Sequence, residues 1–249
     1  MQQSMWEQLS EPSYASEPTF PSQHQLDYVR SLISPITSEQ GLRDFGRDVV
    51  EIAVQKLFDS AYKNELLRGR LGLWGVVTFE SHKNLCIYRT SNRENIPTVA
   101  IEYKAPHKLS QDEVITGLES EIQPERDVIN KDGPGFALAA KMLAAAVVTQ
   151  LFSYMIGKGI QYGYVCTGQT FIFLHIPDDP AIVYYYVCVP NLDVTDDDEN
   201  RLQRTAVAQV FAFILQAVRA KPPPLSWHDA AAGLDTWAVE YDDVLSKIP

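Results

Sequence analysis

The sequence predicts an α/β protein with one central mixed sheet of about five to six strands flanked by helices. Three observations predict this fold: a long helical pattern early in the chain, three β-type runs after it, and three more β-type runs between two apolar helices. At 249 residues, 45% of them hydrophobic, the chain can bury a substantial core. We expect a flexible arm at 1–25, one domain at 26–220, and a proline-rich link and tail at 221–249.

The composition limits the partners that the chain can attract. Its net charge of −11 and pI near 4.9 disfavour bulk attraction to nucleic acid or to an anionic membrane. Any phosphate contact must therefore come from a local site. The N-terminus lacks a secretory pattern and no run of about 18 apolar residues is evident, so we expect an intracellular protein, cytoplasmic or nuclear, without a membrane partner. Cys86, Cys166 and Cys188 lie in apolar runs without metal-ligand spacing, which indicates free buried thiols.

The helical pattern early in the chain has a short and a long part. Residues 25–33 carry apolar side chains at helical spacing as far as Pro35, and residues 39–67 carry an apolar stripe of period 3.6. Glu51 lies beside this stripe, close enough to point into the fold from one edge. We expect it to be either a third carboxylate of a metal site or a solvated helix acid. The stripe consists of Leu42, Phe45, Val49, Ile52, Ala53, Leu57 and Phe58.

Three β-type runs follow the long helix. Residues 71–79 and 85–89 are rich in aliphatic and aromatic side chains, and a polar turn at 91–95 leads into the third run, 96–106. Connections as short as these join antiparallel neighbours. The three runs therefore predict an antiparallel meander.

The third run ends in an acid and a base two residues apart, Glu102 and Lys104. Side chains of a strand alternate between its two faces, so these two project from the same face. A carboxylate at a strand end suits the all-oxygen coordination of Mg²⁺ or Mn²⁺, and a neighbouring lysine can activate water and offset charge on a phosphate. The alternative is an ordinary surface ion pair at the end of a strand.

The strongest helical pattern spans 136–156 and is rich in alanine. On it Gln150 and Tyr154 are four residues apart and share one face. Together they can hydrogen-bond a metal-bound water, a carboxylate or a phosphate near the strand end. The alternative is a solvated glutamine beside a tyrosine whose hydroxyl lies at the edge of the core.

The other segments complete the sheet and its cover. Ser110 and Glu113 form a capping-box pattern that predicts a helix over 111–121. The acidic loop 193–199 is either a cation site or a solvated turn, and an amphipathic helix is predicted over 200–220. The tail carries aromatic residues that we expect to pack on the domain or on whatever follows it. The β-type runs are 162–167, 170–176 and 182–189, and the tail aromatics are Trp227, Trp237 and Tyr241.

The order of these features resembles the PD-(D/E)xK phosphodiesterases, the restriction-endonuclease-like superfamily. In that superfamily a helix glutamate, an aspartate on the second strand and the Glu-x-Lys of the third strand build a Mg²⁺ site, and one branch adds a Gln-x3-Tyr helix. Here Glu102 and Lys104 match the Glu-x-Lys, and residues 150–154 match the Gln-x3-Tyr. Segments 99–109 and 154–168 also look like a domain of filamentous fungi that often precedes a protein-kinase-like domain.

The resemblance covers residues 40–220 and has one departure. Where the family has an aspartate at the start of the second strand, this chain has Ser-His-Lys-Asn at 81–84, and the nearest acid upstream is Glu80. The resemblance therefore implies Glu102 as a metal ligand, joined by Glu80 or Glu51.

Two classes of function remain open at this point. The first is a Mg²⁺- or Mn²⁺-dependent nuclease that cuts DNA or RNA, with Glu102 on the metal, Lys104 orienting water, and Gln150 and Tyr154 positioning the substrate. The second is a catalytically inactive binding or regulatory module for an adjoining kinase-like domain or another protein. The acidic balance and the missing aspartate favour the second class, and the retained motifs favour the first. A plain α/β scaffold that shares only the fold is a weaker third alternative.

Overall fold

The computed structural model describes residues 22–32, 35–80, 83–131 and 133–234. Six strands form one sheet in the order β1-β2-β3-β4-β5-β6, antiparallel throughout except for the parallel pair β3 and β4. The predicted central mixed sheet and the antiparallel meander of its first three strands are therefore confirmed. The strands are β1 Gly75–Glu80, β2 Leu85–Thr90, β3 Asn95–Tyr103, β4 Tyr162–Cys166, β5 Phe171–His175 and β6 Tyr184–Cys188.

Helices precede the sheet, interrupt it between β3 and β4, and follow it. A π-helical turn, Arg47–Glu51, joins α2 to α3, and a 3₁₀ turn, Arg201–Arg204, leads into α9. Most of the predicted arm at 1–25 lies outside the described residues. The helices are α1 Gln23–Leu32, α2 Glu39–Gly46, α3 Ile52–Lys63, α4 Glu65–Leu71, α5 Gln111–Gly117, α6 Pro124–Asp127, α7 Phe136–Lys158, α8 Pro190–Asp193, α9 Ala206–Arg219 and α10 Leu225–Ala232.

The sheet separates two hydrophobic cores, because successive side chains of each strand enter opposite layers. We call face A the side that receives Val99, Ile101 and Tyr103 of β3, where α2, α3 and α9 pack. Face B is the side that receives Ala100, where α5, α7 and α10 pack. By the same alternation, Glu102 lies on face B.

A bulge sets the register of β3 against β2. Cys86 lies opposite Val99, but the next residue, Ile87, lies opposite Pro97, so Thr98 is the extra residue on β3. Proline has no N–H to donate to a ladder, which is why a bulge accommodates it here. The bulge lies at the start of β3 and leaves the end of the strand regularly paired.

The first long helix differs from the sequence prediction, because the π-helical turn shifts its phase. Val49 and Ile52, both predicted on the apolar stripe, are 37% and 40% exposed. Val50 and Glu51 are buried in their place. One extra residue in a turn rotates everything beyond it by about 100° relative to a continuous helix. The Glu51 side chain therefore points into the core, whereas the sequence pattern predicted a position at the edge of the core.

Helix α7 is the main cover of face B. It is long and apolar enough to cross a membrane by length and composition, which the sequence analysis did not anticipate, but core helices of globular proteins pass the same test. Leu143, Leu151 and Met155 on this helix belong to the face B core. Trp227 of the tail is 2% exposed in the same core and its Nε1 donates to Pro177 O at 2.9 Å, so this part of the tail packs on the domain as expected. Trp237 and Tyr241 lie outside the described residues.

Helix α5 begins with the predicted capping box. The Ser110 hydroxyl accepts from the Glu113 N–H at 3.3 Å, and the Glu113 carboxylate accepts from the Ser110 N–H at 2.7 Å. The helix ends at Gly117, earlier than predicted, where it meets α7 closely. A Cβ built on Gly117 would lie 2.4 Å from Ala140 O and 2.8 Å from Ala144 Cβ. This contact requires a glycine.

We predict that Gly117→Ala lowers the free energy of unfolding by about 1–3 kcal/mol, because the added methyl forces α5 away from α7. Urea or thermal unfolding measures the change. Gly157→Ala is the matched control: an added Cβ there meets no atom within 4 Å, so this helical substitution should stabilise by about 0.5–1 kcal/mol. Equal effects of the two substitutions would contradict the close contact.

Candidate functional site

Glu102 and Lys104 lie together where β3 ends. The Lys104 Nζ is 2.9 Å from Glu102 Oε1, and the two side chains are 5% and 21% exposed. The Lys104 N–H donates to Cys166 O at 3.1 Å, which extends the pairing with β4 one residue beyond β3 and holds the backbone extended. An acid and a base therefore form a largely buried ion pair on face B, as their spacing predicts.

Helix α7 brings Tyr154 to this pair, whereas Gln150 points to solvent. The Tyr154 hydroxyl donates to Lys83 O at 2.9 Å and so joins α7 to the segment before β2. Burial and the nearby negative charge of Glu102 raise the pKa of Tyr154, which places its hydroxyl in the field of that carboxylate. Gln150 is exposed one turn earlier, and its side chain makes no hydrogen bond to the described residues. Tyr154 thus belongs to the cluster, and Gln150 lies at its solvent side.

Two further lysines, which no sequence motif indicated, lie beside this cluster. Lys158 Nζ lies 5.7 Å from the centroid of the Tyr154 ring. Lys83 Nζ lies 2.8 Å from Glu80 Oε2. Glu80 lies opposite Leu85, a face B residue, so its side chain is on the same face as Glu102 but two strands away. Helical spacing from Tyr154 to Lys158 was the signal that could have revealed the first of these lysines.

The segment Ser-His-Lys-Asn at 81–84, just before β2, is partly described. Continuing the pairing of Leu85 with Ala100 by two residues sets Lys83 across from Glu102. Asn84 follows with φ of 54°, and its backbone oxygen accepts from the Ile101 N–H at 2.8 Å. The Asn84 Oδ1 is buried without a hydrogen-bond partner among the described residues. Ser81 and His82 of this segment lie outside them.

Glu51, the proposed third carboxylate, is not brought to Glu102. It is 3% exposed on face A, where its Oε1 accepts from the Tyr103 hydroxyl. Tyr103 stands between Glu102 and Lys104 in the sequence and projects to the opposite side of β3. Burial raises the pKa of Glu51, and hydroxyl contacts from Tyr103 and Tyr164 oppose that shift. Glu51 therefore belongs to a separate polar cluster behind the strand.

The face A cluster contains further buried polar groups. Burial and the charge of Glu51 raise the pKa of Tyr103 and that of Cys86. Burial also raises the pKa of the Cys166 thiol to about 12. The Arg43 guanidinium lies 5.8 Å from the centroid of the Tyr103 ring. Raised thiol pKa values indicate unreactive, structural cysteines, in agreement with the sequence analysis.

The donor atoms on face B limit the kind of metal site that they can form. Within the ranges that the structure describes, no group of three or more His, Cys, Asp and Glu side chains is arranged to hold a metal ion. Mg²⁺ in phosphate-handling proteins commonly takes only one or two carboxylates and completes its shell with water and phosphate oxygens. Glu102 can supply one such carboxylate, whereas Glu80 shares face B with it but lies two strands away. Glu51 does not fit that mode.

The fold and the site together define a class: an α/β domain whose mixed six-stranded sheet presents a Glu-x-Lys pair at the end of its third strand. Residues 98–227, which are 130 of the 249 residues, match the model of the Spore killer 2 N-terminal domain family. The chain belongs to this family. The matched part includes Glu102, Lys104, Gln150 and Tyr154.

One relative is the Meiotic driver SPOK2 of Podospora anserina, which is 38% identical to this chain over 114 residues. The alignment spans 42% of this chain and 15% of the length of that relative. The chain therefore corresponds to a small part of the relative. No solved structure matches the chain.

We predict that in Glu51→Gln the free energy of unfolding falls less than in the wild type as pH rises. The folded-state pKa of Glu51 lies above its ordinary value of 4.5, so the folded state binds more protons than the unfolded state between those two pKa values. The free energy of unfolding then falls as pH rises through that window, and this loss is absent when residue 51 is an uncharged amide.

Urea unfolding of both proteins from pH 4 to pH 8 measures this difference. The stability of the variant relative to the wild type should increase with pH and then level off. Glu125→Gln, at an exposed glutamate of α6, is the matched control for the loss of one carboxylate. A stability difference for Glu51→Gln that does not change with pH, or changes no more than that of the control, would contradict a raised pKa at Glu51.

Proposed function

We propose that the chain is a phosphodiesterase domain of the PD-(D/E)xK type that cleaves nucleic acid. The observation that carries this proposal is the Glu102–Lys104 pair, 2.9 Å apart and shielded from solvent at the end of a central strand. A buried ion pair is rarely a net source of stability, because desolvation of two charges offsets their attraction. A functional role explains why both charges stand there.

The charges around the pair suit a phosphate. The site contains three lysines (Lys83, Lys104 and Lys158) and two glutamates (Glu80 and Glu102), so its net charge is +1. The whole chain has a net charge of −11. Such a local excess can bind a phosphodiester although the whole chain repels nucleic acid. It provides the local site that the acidic composition requires.

Each residue of the site has a proposed role. Lys104 orients the attacking water and offsets the negative charge that develops on the phosphate. Tyr154 holds the segment before β2 against the site through Lys83 O, and exposed Gln150 contacts the substrate. Glu102, with Glu80, would hold Mg²⁺ or Mn²⁺, which when bound supplies Lewis-acid polarisation of the phosphate. Glu51 supports β3 from behind rather than holding the metal.

The proposed biological setting is taken from the relative. SPOK2 is named a meiotic driver, and we extend participation in meiotic drive to this chain. The proposed substrate, DNA or RNA, implies an intracellular location, in the cytoplasm or nucleus, and no membrane partner. A kinase-like domain of the same protein is the proposed protein partner.

A second candidate function is a catalytically inactive nucleic-acid or protein binding module. The observation that favours it is that the two proposed metal ligands already pair with lysines, Glu102 with Lys104 and Glu80 with Lys83. Ion-paired carboxylates attract a divalent cation less strongly. A module of this kind would bind the phosphate but would not cleave the phosphodiester.

We predict that the protein cleaves single- or double-stranded DNA or RNA in Mg²⁺ or Mn²⁺, and that Glu102→Gln and Lys104→Met each reduce the rate at least about 100-fold. Removal of one charge of a catalytic pair commonly reduces the reaction rate by about this factor. Cleavage of end-labelled strands measures the rates, and thermal unfolding verifies that each variant is folded.

Glu94→Gln is the matched control, because Glu94 is an exposed acid in the turn that precedes β3, at the opposite end of that strand. Its rate should equal that of the wild type. If the folded wild type cleaves none of these substrates but binds them with an affinity that Lys104→Met lowers, the second candidate is the correct one.

A further inference from the structure

A cavity of about 190 Å³ lies beside the edge strand β6, far along the sheet from Glu102. It is bounded by β5, β6 and the face A helix α9. Sites for drug-sized ligands usually measure roughly 300–1,000 Å³, so this cavity has room for about one small ring system. Its occupant must therefore be compact.

The walls of the cavity are mainly aromatic rings. Phe173 and Tyr186 are nearly parallel, with an interplanar angle of 18° and centroids 6.5 Å apart, and Phe213 of α9 packs 4.8 Å from Phe173. Tyr184 and Tyr186 are two residues apart in β6, so both side chains lie on face A, where α9 packs. Even so, they are 59% and 56% exposed. Two large rings left exposed at the mouth of a cavity are available for stacking.

The polar groups of the cavity are neutral and can donate and accept hydrogen bonds. Gln209 is 8% exposed and uses its Nε2 to donate to Gln203 O at 2.5 Å, which leaves the Oε1 as an acceptor. Gln216 contributes a second amide from the same helix. His175 stacks on Tyr162 at 4.5 Å, and burial lowers its pKa, so the imidazole is uncharged at neutral pH.

We propose that this cavity binds a single nucleobase between the aromatic side chains of β6 and α9, with Gln209, Gln216 and His175 hydrogen-bonding the edge of the base. Flat rings with amide donors and acceptors match a planar, uncharged heteroaromatic ligand. The cavity offers no cation for a carboxylate or phosphate among its lining residues. The base is provided either by a free nucleoside or by an unpaired nucleotide of a single strand.

The site is independent of the Glu102–Lys104 centre. Strand pairing places His175 of β5 and Tyr184 of β6 level with Tyr162, the first residue of β4. Glu102 and Lys104 lie beside the other end of β4. The cavity is also on face A, and the ion pair is on face B. Base binding therefore does not require the proposed phosphodiesterase activity.

Calorimetric titration tests the proposal without any cleavage. The full chain in EDTA is titrated with adenosine, guanosine, cytidine and uridine, then with short single-stranded DNA and RNA, and with an abasic strand of the same length. We expect Tyr186→Ala and Tyr184→Ala to weaken base binding roughly tenfold or more, and Tyr186→Phe to retain it because the ring remains.

Trp74→Ala is the matched control, because Trp74 is 71% exposed beside β1, at the other edge of the sheet. It should bind as the wild type does. Nucleoside binding that depends on both tyrosines identifies a free base as the ligand. Binding of strands but not of nucleosides or of the abasic strand identifies an unpaired base.

Three results would overturn the inference. They are no binding of any probe, equal binding of abasic and base-containing strands, and binding that the tyrosine substitutions leave unchanged. A change of sedimentation in Tyr186→Ala without a change in ligand binding would instead assign the exposed tyrosines to contact with a second copy of the chain. The titration is done in EDTA and measures no cleavage, so failure of the nuclease proposal leaves this test intact.

Discussion

The alternation of side chains along β3 is the constraint on which the arrangement of polar groups depends. Glu102 and Lys104 enter face B, and Tyr103 between them enters face A and binds Glu51. One strand thus separates two polar clusters by the thickness of its backbone. A shift of one residue in the register of β3 would exchange them, which is why the regular pairing after the bulge matters.

The two clusters differ in their access to solvent, and this difference separates their roles. Glu102 keeps about a fifth of its side-chain surface exposed and has lysines around it, so a ligand can reach it. Glu51 is enclosed by tyrosines and the π-helical turn, and its second carboxylate oxygen is buried without a partner among the described residues. A group so enclosed acts on the fold and on the position of Tyr103. Of the two clusters, only the one on face B is therefore open to a ligand.

The parts of the fold governed by local periodicity could be predicted from the sequence. The period of two in β3 placed Glu102 and Lys104 on one face, and the capping box at Ser110 placed the start of α5. The face of Glu51 could not be predicted, because a π-helical turn has no sequence signature and changes the helical phase after it. The assignment of Lys83 to the site depended on strand register, which sequence alone does not provide.

The aromatic cavity shows the same limit for residues distant in sequence. In the sequence, Tyr184 and Tyr186 are typical of a strand, and Gln209 and Gln216 are typical of the polar positions of an amphipathic helix. Only the packing of α9 against β5 and β6 brings them around one space. Because this space shares no side chain with the Glu102 cluster, substitutions in the two places should be energetically additive. The cavity and the ion pair can thus change independently of each other.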